Sequence, residues 1–203
     1  MSASDWLSRS SELMSASDTA VLVIDVQEKL IRLIPEHQRL IWNVDRLLNG
    51  ARLFGMPVLA TQQYPRGLGE TVPEIAGYFD QIPSKTSFSC RACPELFRGL
   101  FDRGVHRLLL AGIETHVCVL QTAFDLMAAG FQVFVAVDAT GSRHRLDREV
   151  ALRRLEASGA VLTTTESALF EWCGDADCPE FSDLRQLVKQ SGPDASDPPS
   201  ADV

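Results

Sequence analysis

Apolar residues fall along the chain in short, continuous runs separated by longer amphipathic stretches. The run AVLVI from Ala20, broken by Asp25, is rich in β-branched residues and predicts a strand buried on both faces. From Glu36 to Phe54, Leu40, Val44, Leu47, Leu48 and Ala51 recur at helical spacing, and Gly55, Met56 and Pro57 end the helix. PVLAT at 57–61 predicts the next strand. Between Gln62 and Pro83 so many glycines and prolines occur that the segment predicts a long loop, with QIPS before Lys85 as a short edge strand. A helix over 94–103, a strand RLLLAGI over 107–113 and a helix over 115–129 follow. FQVFVAVD at 131–138, a helix over 147–159 and AVLTT at 160–164 repeat the alternation once more. Strands alternating with helices of this length require right-handed crossovers. The expected fold is a three-layer α/β/α sandwich around a mostly parallel, Rossmann-like sheet. One domain is expected over 18–190, with a flexible segment over 1–17 and a polar, proline-rich, disordered tail over 191–203.

Composition narrows the function classes. The chain has 203 residues and a net charge of -8, which opposes nucleic acid and anionic membranes at long range. No stretch approaches the roughly 20 apolar residues of a membrane span, and the N-terminal residues lack the apolar core of a signal peptide. Five cysteines, an odd number, fit free thiols in a reducing compartment better than a disulfide framework. A cytoplasmic protein with a small-molecule substrate is the resulting expectation.

In open parallel sheets, reactive groups gather beyond the carboxyl ends of the strands. Asp25, Thr61, Gln62, the segment Glu114 to Cys118, and Asp138 all stand there, with Lys85 beside them. Cys118 falls in the first turn of the helix after the 107–113 strand, where the positive helix end would favour a thiolate nucleophile. An inert buried cysteine fits the same position. Asp25 would serve as general base and acid, or else as a helix cap. Lys85, one of only three lysines, would pair with Asp25 or lie exposed as an ordinary lysine. Gln27, Tyr64, Phe88 and His116 fall where a substrate pocket would be lined, and each fits a core or shell role equally.

These residues carry a resemblance. LVIDVQEKL at 22–30, SKTSFS at 84–89 and LLLAGIETHVCVLQTAFDLMAAGFQVFVAVDATGSR at 108–143 resemble the signature regions of isochorismatase-like cysteine hydrolases, and TQQYPRGLGETVPEIAG at 61–77 looks closest to the subgroup of YcaC and the isochorismatase-domain-containing proteins. The resemblance spans roughly residues 18–175. It implies a catalytic triad of Asp25, Lys85 and Cys118. It also implies a cis peptide at Ile113–Glu114 and an oxyanion hole from the backbone N–H groups of Glu114 and Cys118. The implied reaction is hydrolysis of a small amide, ureido or ester substrate through a thioester, by a homo-oligomer without a cofactor. Asp138, Ser142 and Arg143 match a loop that fixes site geometry.

Departures from the pattern are equally informative. Nicotinamidases of this superfamily carry an Asp-x-His metal motif after the second strand; Thr61, Gln62, Gln63 and Tyr64 stand here instead, so no catalytic metal is expected. Cys90, Cys93, Cys173 and Cys178 would form a zinc site only with unusual spacing across separate loops. No G-x-G-x-x-G follows the first strand, which argues against a nucleotide-binding oxidoreductase and leaves it the third reading. The competing reading is a catalytically silent relative that binds a metabolite or serves assembly.

Overall fold

A computed structural model describes residues 8–193. The first apolar run forms β1 (Thr19–Ile24), and α1 (Glu28–Ile31) and α2 (His37–Leu53) follow it. Strand β2 (Val58–Gln63) runs two residues beyond the expected PVLAT. The breaker-rich segment is not wholly irregular, because Pro65 and Pro73 each start a one-turn helix, α3 (Pro65–Leu68) and α4 (Pro73–Ala76). Its edge strand, β3, is only Ser84–Lys85.

Residues 94–103 depart from expectation. Instead of one helix they form two short 3₁₀ turns, Pro94–Leu96 and Phe101–Arg103, after a first at Cys90–Ala92. Pro94 opens one turn, and Gly99 and Gly104 adopt positive φ, so the backbone cannot propagate an α-helix through them. Strand β4 (Arg107–Ile113) leads into a π-helical turn, Thr115–Val119, before α5 (Leu120–Ala128). Then come β5 (Gln132–Gly141), α6 (Arg145–Ala157), β6 (Val161–Thr163) and two helices that apolar periodicity did not reveal, α7 (Thr165–Cys173) and α8 (Phe181–Val188).

The six strands form one sheet in the order β3-β2-β1-β4-β5-β6, and every pairing is parallel. Central β1 alternates as a two-sided strand must. Val21 and Val23 enter one core cluster with Val44, Leu47 and Leu48 of α2 and Leu169 of α7, while Ala20, Leu22 and Ile24 enter the other with Ala123 of α5 and Leu155 of α6. Helices therefore cover both faces, giving the expected three layers. Of the segment 1–17 expected to be flexible, residues 8–17 are described, and Ser8 to Leu13 are exposed. Met14 is fully buried in the first cluster, and its N–H donates to Glu171 Oε2 of α7 at 2.8 Å. Of the expected tail, 194–203 lies outside the described residues. Among the described residues, no helix is long and apolar enough to cross a membrane.

Candidate active site

Three parallel strands deliver the site. At the end of β1 the chain turns at Asp25, whose φ of 55° is left-handed, a region that aspartate tolerates better than branched residues do. Its N–H still donates to the Thr61 carbonyl at 3.1 Å, so the carboxylate is held against the end of β2. Lys85 comes from β3, two strands away in the sheet order, and Cys118 from the π-turn after β4.

The Asp25 and Lys85 side chains are fully buried and meet at 2.6 Å, between Oδ2 and Nζ. Such burial requires pairing, because an isolated charge there would lose its hydration without return. The other carboxylate oxygen, Oδ1, accepts the Thr61 hydroxyl at 2.9 Å. Lys85 also donates to Gln63 Oε1 at 2.9 Å and to the Phe88 carbonyl at 3.0 Å. The Cys118 thiol is only 4% exposed and lies near enough to Asp25 to feel its charge. The three residues singled out for chemistry are thus brought together.

Their electrostatics differ from the sequence reading in one respect. A helix N-terminus was expected to favour the thiolate, but burial pushes the Cys118 thiol well above its ordinary value, the Asp25 charge adds to the rise, and Lys85 opposes it. The resting sulfur therefore carries its proton. A second thiol lies close by: Cys90 is fully buried with Sγ 3.4 Å from Thr61 Oγ1, and burial, the dominant cause, raises it to about 11.

The Ile113–Glu114 peptide is cis. Glu114 is buried, and its carboxylate accepts the Arg143 N–H at 2.9 Å and Arg143 Nε at 3.1 Å, while its carbonyl accepts the Val117 and Val119 N–H groups. His116 Nδ1 lies 3.1 Å from Ser142 Oγ, and its Nε2 faces Asp147 at 3.8 Å. His116 is thereby engaged with the 142–147 segment. Asp138 caps α7, accepting the Thr165 N–H at 2.8 Å and the Thr165 hydroxyl at 3.0 Å.

The four expected pocket residues separate into different roles. Gln27 is fully buried and its amide is spent on backbone, accepting the Gln63 N–H at 2.7 Å and donating to the carbonyls of Gln63 and Gly69 at 3.0 and 2.6 Å. Such an amide braces the strand ends around the site. Tyr64 and Phe88 are about half exposed and flank Lys85, since the Tyr64 N–H donates to the Lys85 carbonyl at 2.9 Å.

Two roles escaped the sequence reading, those of the Thr61 hydroxyl and of the Gln63 side chain. The signal was present, because TQQ closes an otherwise apolar strand. The donor set also bears on metals. Thr61, Gln62 and Gln63 each spend their side chains on protein partners, Asp25, Thr71 and Lys85. Cys90 packs with one core cluster and Cys173 with the other, on opposite faces of the sheet, so the two cysteine pairs cannot share a zinc. Among the described residues no group of three or more His, Cys, Asp or Glu side chains could hold a metal ion.

A parallel sheet between two helical layers, with a buried carboxylate, ammonium and thiol at its carboxyl edge, places the chain among the three-layer α/β proteins. Residues 19–167 match the model of the Isochorismatase domain, and the chain belongs to that family. It is 44% identical over 176 residues to bovine (Bos taurus) isochorismatase domain-containing protein 2, covering 86% of this chain and 85% of the relative. Among solved structures, MAR1 ribonuclease from Caenorhabditis elegans superposes with a TM-score of 0.84 at 36% identity, covering 94% of this chain and 100% of that one. YcaC from Escherichia coli, described as an octameric hydrolase of unknown specificity, gives 0.79 at 27% identity, with 89% and 92% covered.

Proposed function

We propose that the chain is a cysteine-dependent hydrolase that cleaves a small amide, ureido or ester substrate through a thioester. The observation that carries this reading is the single Asp25 carboxylate, bonded at once to the Lys85 ammonium and the Thr61 hydroxyl and near enough to the buried Cys118 thiol to act on its proton. Asp25 takes the Cys118 proton as sulfur attacks the substrate carbonyl carbon. The oxyanion that forms is received by the Glu114 and Cys118 N–H groups, donors of a kind worth about 3 kcal/mol each. Collapse expels the amine or alcohol, which leaves with the proton from Asp25. Water then attacks the thioester, Asp25 again takes a proton, and the acid departs as the thiol is restored.

A protonated resting thiol is consistent with this sequence, because the sulfur need be anionic only while Asp25 holds its proton. The C. elegans relative's name raises RNA as a substrate. Against it stand the net charge of -8 and the use of all three Lys85 protons within the protein, which leaves that cation none for a phosphate. The burial of Cys118 favours the second reading, a silent relative that only binds a metabolite.

One experiment separates these readings. The protein and its Cys118→Ala variant are assayed against a panel of small amides, ureido compounds, esters and RNA, with intact-mass detection of an acyl adduct. Turnover of a small substrate should fall at least about a thousandfold in the variant. Equal turnover by both proteins, or cleavage of RNA alone, would sink the proposal, and no turnover or adduct with any compound supports the silent reading.

We also read the chain as a homo-oligomer, on the strength of the octameric E. coli relative and of Leu146 and Val150, which stand exposed one turn apart on α6. Light scattering tests this, and a monomer at micromolar concentration would refute it.

A further inference from the structure

The reaction proposed above leaves open what keeps Lys85 in place without taking part. An ammonium has three protons and no acceptor. All three are spent, on Asp25 Oδ2 at 2.6 Å, Gln63 Oε1 at 2.9 Å and the Phe88 carbonyl at 3.0 Å. Lys85 therefore has no proton directed at substrate, and its contribution is the charge it holds beside Asp25.

Gln63 is built for this contact at several points. Strand pairing sets it directly beside Lys85, so the two side chains share one face of the sheet edge. Its amide has a single sensible orientation. Nε2 donates to the Thr86 carbonyl at 2.8 Å, which turns Oε1 to the ammonium; the flipped amide would set donor against donor and acceptor against acceptor. Its backbone is clamped on both sides by Gln27, with Gln63 N–H donating at 2.7 Å and Gln63 carbonyl accepting at 3.0 Å. Gln63 is buried, so water does not substitute readily for the missing bond.

Neutrality matters as much as position. Before proton transfer the site holds a carboxylate, an ammonium and a thiol; afterwards it holds a carboxylic acid, an ammonium and a thiolate. Net charge is zero in both states. A neutral acceptor on Lys85 preserves that balance, whereas a carboxylate there would make the site anionic and oppose the thiolate.

We propose that Gln63 is a positioning residue: it supplies the neutral third acceptor that fixes the Lys85 ammonium beside Asp25 and keeps the Cys118-to-Asp25 proton transfer free of added charge. This inference rests on the cysteine-hydrolase reading.

The test is the pH profile of Cys118 alkylation by iodoacetamide, followed on the full chain by peptide mass, with Cys173 as an internal control. Between pH 7 and 9, Cys118 alkylation in Gln63→Glu should slow about tenfold or more, the effect of the shift of about one pH unit or more that a nearby like charge causes. The Cys173 profile should not move, a separation that general loosening of the fold would not produce. If Gln63→Glu does not fold, Gln63→Met carries the test. It removes the acceptor without adding charge, leaves one ammonium proton unpaired, and should slow Cys118 alkylation over the same pH range by a smaller factor as Lys85 is released. A folded variant whose Cys118 profile matches the wild-type protein would overturn the inference while leaving the hydrolase reading intact. Equal turnover of a small substrate by the wild-type protein and its Cys118→Ala variant would remove the hydrolase reading itself, and the inference with it.

Discussion

At the scale of single residues, the site depends on one close approach. Gly112 sits opposite Ile24 in the β1–β4 pairing with φ of +117°, and a Cβ built there would lie 2.1 Å from the Ile24 carbonyl oxygen. Only glycine tolerates both the dihedral and the contact. The approach brings Ile113 and Glu114 beside the strand that ends in Asp25. Gly112→Ala should therefore cost about 2–4 kcal/mol, through strain and the parting of two central strands. Chemical denaturation measures this, and a loss below about 0.5 kcal/mol would show that β4 can shift freely.

Among elements, the connection between β3 and β4 determines where Lys85 stands, and it is held by α5 rather than by its own helical structure. The Cys90 N–H donates to Thr122 Oγ1 at 2.9 Å, and Ser89 Oγ donates to Asp125 Oδ2 at 2.6 Å. The segment carrying Lys85 is thus fastened to the helix that continues from Cys118. Thr122 is fully buried, and Thr122→Val keeps its shape while leaving the Cys90 N–H unpaired, at a cost of about 1–3 kcal/mol. Hydrogen exchange should quicken at the Cys90 amide more than across β1 and β4. Uniform exchange would mean that the fastening is not local.

For the whole molecule, buried thiols make stability sensitive to alkali. Burial raises Cys90 from 9.0 to about 11 and raises Cys118 further, and burial with the Asp45 hydrogen bond raises Tyr78 from 10.0 to about 12. These are acids whose folded values exceed their unfolded ones, so above about pH 9 the unfolded chain has released protons that the folded one retains. The thiol contribution is complete below pH 9 and is lost as pH rises from there through about 11, with a slope of up to about 1.4 kcal/mol per pH unit for each group. Melting temperature should fall between pH 9 and 11, and Cys90→Ala should flatten that fall. An unchanged slope in the variant would assign the effect to other groups.

Much of this was legible in the order of residues, for reasons of local physics. A strand buried on both faces must be apolar throughout, so β1, β4 and most of β5 announced themselves, and an acid that ends such a run marks a site. Helix periodicity located α2 and α6 because one face of each meets the sheet. Positions 94–103 misled because apolar spacing alone does not register that Gly99, inside the segment, takes a positive φ that stops helix propagation. Helices α7 and α8 follow the last strand, and no further strand after them marks them as crossovers. The residues able to do chemistry, Asp25, Lys85 and Cys118, could be named from their places at strand ends. What tertiary structure alone decided is their state. Cys118 rests protonated because the fold buries it beside Asp25, and Lys85 is saturated because Gln63 and the Phe88 carbonyl converge on it. Gln27 braces strands because its partners lie 36 and 42 positions away in the chain. Contacts of that range depend on which strands pair and in what register, and no local pattern encodes them.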